Sequence, residues 1–370
     1  MASSRLVSLD VFRGLTMASM VIVNNPGDWG QVYAPLLHAP WHGWTPTDLI
    51  FPFFVFIVGV SITLSGRSSQ SVLVIARRAA LIFAFGLLLA LYPRFDFSTV
   101  RIMGVLQRLA ICYFAAALFY RAFRDSDDEE RWWASVAVSA VILVVYWALL
   151  QFVAPPGGVA GDLTPAGNLG AWLDRTILTE AHLWRSSKTW DPEGLLSTLP
   201  AIATALTGVA AGVWLRMDKP ASEKVMAFIG AGGLAILMAL VWDRSFPINK
   251  NLWTSSYVLL TTGIALILLA VCYWVFDVKG QRAGARPFVV LGVNALFLFV
   301  ASGLLVKTLI WIRVTSPAGT DITLLRYLYE TYFQPWGSPK NTSLAFAVAN
   351  LLFLYALCEV LYRKRWFLRV

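Results

Sequence analysis

Ten stretches of this 370-residue chain are long and apolar enough to cross a bilayer, and they recur from one end to the other. A spanning helix needs roughly 20 mostly apolar residues. Residues 49–66, 132–153, 195–215, 225–242, 252–276, 287–306 and 341–358 meet this without a charge, and 7–23, 71–93 and 100–120 meet it with charges inside. A folded chain always leaves part of itself facing solvent. With 58% hydrophobic and 14% charged residues, this one could not keep so much apolar surface out of water. The expected fold is therefore all-α: a single polytopic membrane helix bundle over residues 1–370, with about ten spans. The helices around Ala79 and Arg108 are the candidates to tilt or break. A secreted domain, a disordered chain and a nucleic-acid-binding domain are excluded despite a pI of about 9.6. Cys112, Cys272 and Cys358 lie far apart inside apolar runs, which argues against a disulfide framework and against a zinc cluster.

The net charge of +9 sets the orientation, because Lys and Arg collect on the cytoplasmic side of spanning helices. One set of alternate loops holds Arg67, Arg121/Arg124/Arg131, Arg216/Lys219/Lys224, Lys279/Arg282/Arg286 and the tail Arg363/Lys364/Arg365/Arg369. These loops are short and basic, and the acidic run 125–130 within 121–131 reads as solvated cytoplasmic chain. The other set includes 24–47, which has no Lys or Arg before residue 48, and the long loops 154–194 and 307–340. Both termini are expected in the cytoplasm and the long loops outside. Asp10 and Arg13 interrupt the first apolar run, so no cleaved signal peptide is expected. No internal repeat is evident.

Ionisable residues in spanning helices are costly, and they face a partner, a cavity or a substrate path. Here they are Asp10, Arg13, Arg77, Arg78, Arg101 and Arg108. Two readings stand for the arginines. Asp10 or Asp48 neutralises them inside the bundle, or Arg101 and Arg108, with Gln107, cradle a phosphorylated ligand, since guanidinium binds phosphate in a bidentate fashion. The loop 24–52 reads NNPGDWGQVYAPLLHAPWHGWTPTDLIFP and holds His38 and His42, two of the chain's three histidines. Pro40 and Gly43 argue against a helical metal pair, so no metal is expected. Histidine is also the usual general base near neutral pH. Trp29, Trp41 and Trp44 fit interfacial anchors as well as a sugar-stacking surface. Asp191 and Glu193 precede an apolar helix, where acidic residues suit the helix dipole and could equally bind an amine or a sugar hydroxyl. Asn249, Lys250 and Asn251 cap a helix or line a site. Asn294 is expected to hydrogen-bond another helix.

Five segments taken together resemble the heparan-α-glucosaminide N-acetyltransferase family of membrane acyltransferases. They are Arg5-Leu-Val-Ser-Leu-Asp-Val-Phe-Arg-Gly14, the run from His38 through Asp48 to Phe54, Arg101-Ile-Met-Gly-Val-Leu-Gln-Arg108, Asp191-Pro-Glu-Gly194 and Asn249-Lys-Asn-Leu-Trp253. They occur in family order, and the resemblance is nearest to bacterial inner-membrane members associated with N-acetylglucosamine utilisation. Relative to the lysosomal enzymes, the chain is expected to lack a long extracytoplasmic N-terminal domain and one helix. The resemblance implies transfer of an acetyl group from cytosolic acetyl-CoA to an amino sugar across the membrane, by a chain that forms homodimers. The family's active-site histidine falls on His38 and its nearby asparagine on Asn24, with Asn25 as a substitute. His42 stands where animal members carry Asn.

On this reading His38 is either a general base or the acyl acceptor itself, and Asn24 with Asn294 donates to the oxyanion. Asp48 orders His38 or the acceptor. Arg101, Gln107 and Arg108 would hold the CoA phosphates, or Arg13, Arg77 and Arg78 if the nucleotide stays at the cytoplasmic side. His42, Trp41, Asp191, Glu193, Asn249 and Lys250 would meet the acceptor. The competing expectation is a transporter that moves an N-acetylglucosamine-type sugar without altering it.

Overall fold

The computed structural model describes residues 6–64, 71–123, 132–316 and 319–367. Arg5, Arg67, Arg124, Arg131, the acidic run 125–130 and Arg369 lie outside the described residues. The described chain is a helix bundle: α1 (Val7–Asn24), α2 (Ile50–Leu64), α3 (Val72–Leu91), α4 (Val105–Ala122), α5 (Trp132–Phe152), α6 (Leu169–Leu178), α7 (Thr198–Arg216), α8 (Ala221–Trp242), α9 (Ser255–Cys272), α10 (Ala285–Val293), α11 (Ala295–Trp311), α12 (Leu324–Tyr332) and α13 (Pro339–Arg363). A π-helical turn, Tyr273–Val278, extends α9. Among the described residues nine helices are long and apolar enough to cross a membrane, and the α10–α11 pair passes the same test only when its two bent halves are taken together. Nine of the ten apolar runs thus emerge as span-length helices, and the tenth, 287–306, falls on the bent pair.

One of the sequence expectations needs correction. The helices through Ala79 and Arg108 are continuous, and the break falls instead at Asn294, where α10 and α11 meet at 80°. The Asn294 side chain donates to Val290 O and to Cys358 O of α13. Such local side-chain bonding competes with the backbone ladder and favours an interruption over helix continuation. The long loops are also more ordered than their composition suggests. They contain α6, α12 and a short antiparallel hairpin, β1 (Arg313–Thr315) with β2 (Asp321–Thr323).

In lipid, helices associate largely by close packing, so small residues mark the tightest contacts. The most buried span, α7, lies against α2 in this way. A Cβ on Gly59 would sit 2.0 Å from Ala205 O, and one on Gly208 would sit 2.1 Å from Phe56 O. The α1–α10 crossing is equally close, at Gly14 against Phe288 and Gly292 against Asp10. Contacts between helix ends show the alternation of the chain. At one end Asp277 accepts from the backbone of Val7 and Ser8, Arg216 bonds Tyr120 and Thr63, and Arg286 and Arg363 meet at Glu359. This basic end carries the arginine-rich loops. At the other end the long loops converge.

Candidate functional site

The long-loop end gathers residues from five separated parts of the sequence. The loop 25–49 ends in the 3-10 turn Pro46–Leu49, which leads directly into α2. A capping box fixes this turn: Thr45 Oγ1 and the backbone N–H groups of Thr45 and Ala39 all donate to Asp48 Oδ2, at 3.0–3.2 Å. The other carboxylate oxygen, Oδ1, lies 2.6 Å from His38 Nδ1. Asp48 is buried, its side chain only 1% exposed, whereas that of His38 is 51% exposed. The carboxylate thus anchors one ring nitrogen, while the ring as a whole stays half exposed. Tyr257 of α9 fixes the same turn from below through its hydroxyl on Asp48 O, at 2.5 Å.

The segment 243–254 closes over this group. Asp243 accepts from Ile248 N, Gly43 N donates to Ile248 O, and Asn249 is held by Thr254 Oγ1 on its N–H and by Leu252 N on its side chain. These bonds aim Lys250 at His38, with Nζ 3.0 Å from Nδ1, 3.2 Å from Nε2 and 3.6 Å from Asp48 Oδ1. Asn249 Nδ2 lies 3.3 Å from His42 Nδ1. Burial and the nearby Arg108 push the Lys250 ammonium below the usual lysine range, against the pull of Asp48 and Glu193.

A second charged layer lies beneath. Arg101 makes a bidentate pair with Asp191, at 2.5 and 2.8 Å, and also bonds Glu193. Burial opposes its charge, but the two carboxylates more than reverse this and raise its pKa. Burial and the adjacent Glu193 raise Asp191, while Glu193, facing Arg101, Arg108 and Lys250, is held below the usual carboxylate range despite its burial. Arg108 is fully buried. It donates to Gly194 O and Ser197 Oγ and lies over the Trp253 ring at 5.0 Å, yet its Nε and Nη1 have no partner among the described residues. Trp41 donates to Leu163 O and meets Trp190 edge-to-face at 5.0 Å, beside His42.

The structure therefore brings together His38, His42, Asp48, Trp41, Arg101, Arg108, Asp191, Glu193, Asn249 and Lys250. Gln107 is buried alongside, against Gly86 and Gly104. Others stand apart. Asn24 ends α1 exposed, without a bond to any of these groups, and Asn25 is buried on Val21 O and Ser302 Oγ. Arg13 and Asn294 belong to the region of the α1–α10 crossing. There Arg13 pairs with Asp10 at 3.6 Å and donates to Ser61 Oγ and Gly292 O. This bears out the ion-pair reading of Arg13, although Asp48 serves His38 and Lys250 instead of an arginine. Arg77 is exposed, and Arg78 lies over Tyr113 at 5.0 Å. Sequence reading overlooked Thr45, Ser197, Trp253 and Tyr257. Only Thr45 left a signal, the Thr-x-x-Asp spacing of a capping box. Among the described residues no group of His, Cys, Asp and Glu could hold a metal ion.

The catalytic-region model of the heparan-alpha-glucosaminide N-acetyltransferases matches residues 5–241, well over half of the chain. The chain belongs to this family. Heparan-alpha-glucosaminide N-acetyltransferase of Homo sapiens is 32% identical over 351 residues, covering 80% of this chain and 52% of the human protein. Its Mus musculus counterpart is 32% identical over 359 residues, with 81% and 53% covered. The chain spans about half the length of these curated relatives. The family match holds His38, Asp48, Arg101, Arg108, Asp191 and Glu193, whereas Asn249, Lys250 and Tyr257 lie beyond it and reach the site through the fold.

Proposed function

We propose that this chain is a multi-pass membrane N-acetyltransferase that moves the acetyl group of acetyl-CoA to an amino sugar, with His38 at the centre of the transfer. On this reading the chain sits in a bacterial inner membrane with its basic end in the cytoplasm and its long-loop end outward, an orientation that the Lys and Arg distribution supports. The observation that carries the reading is the Asp48–His38 pair. Its 2.6 Å contact holds Nδ1 while the ring stays half exposed, which suits a base or acyl acceptor acting through Nε2.

In the direct route, Nε2 takes the proton of the attacking amine as the new N–C bond forms. The thioester C–S bond breaks, and the sulfur leaves as the thiol. In the two-step route Nε2 first carries the acetyl group. In both, Asp48 stabilises the imidazolium or orients the ring. Lys250 Nζ, 3.0 and 3.2 Å from the two ring nitrogens, is the hydrogen-bond donor beside the transferred group. Arg101, neutralised by two carboxylates, braces the site and leaves CoA phosphates to other cations, with Arg13 and Arg78 nearer the basic end. Trp41, Trp190 and His42 offer the acceptor an aromatic wall.

The test uses purified protein with labelled acetyl-CoA and glucosamine. N-acetylated sugar should form and should fall to background in a folded His38→Ala variant. A second reading, sugar transport without acyl transfer, draws on the 80° break at Asn294, since transporters build binding sites from discontinuous helices. Sugar flux into liposomes without acetyl-CoA, unchanged by His38→Ala, would sink the acyltransferase reading.

A further inference from the structure

Lys250 is placed where an acetyl group at His38 would have to pass. Its Nζ is 3.0 and 3.2 Å from the two ring nitrogens, so any acyl carbon bonded to Nε2, or poised beside it, comes within contact distance of this amine. The side chain is 16% exposed, and the loop that carries it is fixed by the bonds of Ile248, Asn249 and Leu252 and by Trp253 N on Lys250 O. The amine is therefore held at the reacting centre. Its ion pair with Asp48, at 3.6 Å, is loose, and Asp48 already accepts from His38, Ala39 and Thr45. Burial further favours the neutral, nucleophilic amine.

We propose that Lys250 Nζ is itself an acetyl acceptor, so that the chain acetylates its own Lys250 when donor is present and no amino sugar occupies the mouth. The Nζ lone pair forms the N–C bond to the acetyl carbonyl. Either the thioester C–S bond breaks or, if His38 carries the group, the Nε2–C bond does. In the first case His38 Nε2 takes the proton lost from Nζ and passes it to the departing thiolate, in the second the proton ends on the departing imidazole, and in both the product is a neutral amide. The modification removes the amine that faces Asp48, His38 and Glu193, and with it activity. The acceptor sugar protects by consuming the acetyl group first.

The inference rests on the acetyl-transfer reading, and the experiment separates the two. Intact protein in detergent is incubated with isotopically labelled acetyl-CoA, with and without glucosamine, and its peptides are mapped by mass spectrometry. Lys188 and Lys340, both exposed, report uncatalysed acetylation. Proximity predicts labelling of Lys250 at least about tenfold above those two lysines. That excess should vanish in His38→Ala and His38→Gln, and it should be suppressed by glucosamine. Acetylated glucosamine without label on Lys250 overturns the inference and leaves the transferase reading standing. Label on Lys250 that persists in both His38 variants overturns it as well, because the amine would then react without the site. Neither sugar product nor label overturns both.

Discussion

Arg101→Gln isolates the electrostatic design of the site. The Asp191 and Glu193 side chains are 0% and 7% exposed, and Arg101, itself 25% exposed, binds both. Removing the guanidinium leaves two carboxylates buried side by side, with Arg108 and Lys250 as the remaining cations near Glu193. Breaking a buried pair by deleting one partner costs about 3–5 kcal/mol, because an uncompensated charge stays behind. Two such charges argue for the upper part of that range, and neutralisation by proton uptake caps it. Unfolding in mixed detergent micelles at pH 7 should show this loss. Adding Asp191→Asn and Glu193→Gln should return more than about 2 kcal/mol, since residues in one network do not contribute additively. The variant should also change its pH response. Without Arg101 both carboxylates have folded pKa values above their unfolded ones. The stability they confer is then fully present at low pH and lost as pH rises through the raised values. A loss below about 1 kcal/mol, or strict additivity in the triple variant, would refute the claim that Arg101 balances these charges.

Two further outcomes follow from the geometry. Asp48→Asn keeps the volume of the side chain but cannot accept from the imidazole, Ala39 and Thr45 together. It should lower kcat by about 10²–10⁴-fold with little change in KM for the sugar; an unchanged kcat would remove Asp48 from the transfer step. Asp174 is buried, accepts from Leu195 N at 2.8 Å and faces Asp191, and burial raises its carboxyl to about 6 from its ordinary value of 3.8. The folded state therefore binds the proton more tightly. The stability this confers is complete below about pH 3.8 and is lost as pH rises through about 6. Two pKa units correspond to roughly 3 kcal/mol. Relative to the unaltered protein, Asp174→Asn should gain about 2–3 kcal/mol between pH 4 and pH 8. A constant difference across that range would place the proton elsewhere.

Much of the fold was legible because lipid is an undemanding solvent to read. A span must be apolar over its whole length, so each helix announces itself locally: nine of the ten runs are single helices long and apolar enough to cross a membrane, and the tenth is the bent α10–α11 pair. The break at Asn294 was not legible, because a polar residue in an apolar run looks the same whether it bonds a neighbouring helix or ends its own. The ordered pieces of the loops were hidden for a related reason. Helix α12 is held by Tyr329 packing under Gly27 and against Phe346, contacts that no local pattern encodes.

The sequence by itself determined that the chain lives in a membrane, which loops share a side, and that His38 and Asp48 lie close in the chain on one polar loop. Those properties depend on hydropathy, charge and short spacing, all of which are local. Tertiary structure decided what each charge does. It gave Asp48 to His38 instead of to an arginine, enclosed Arg101 between Asp191 and Glu193, and brought Lys250 to the imidazole from 212 residues away. It also separated Arg13 and Asn294 from the centre they were expected to serve. In a low-dielectric interior a charge takes its role from its nearest partners, and only the packing of the helices chooses those partners.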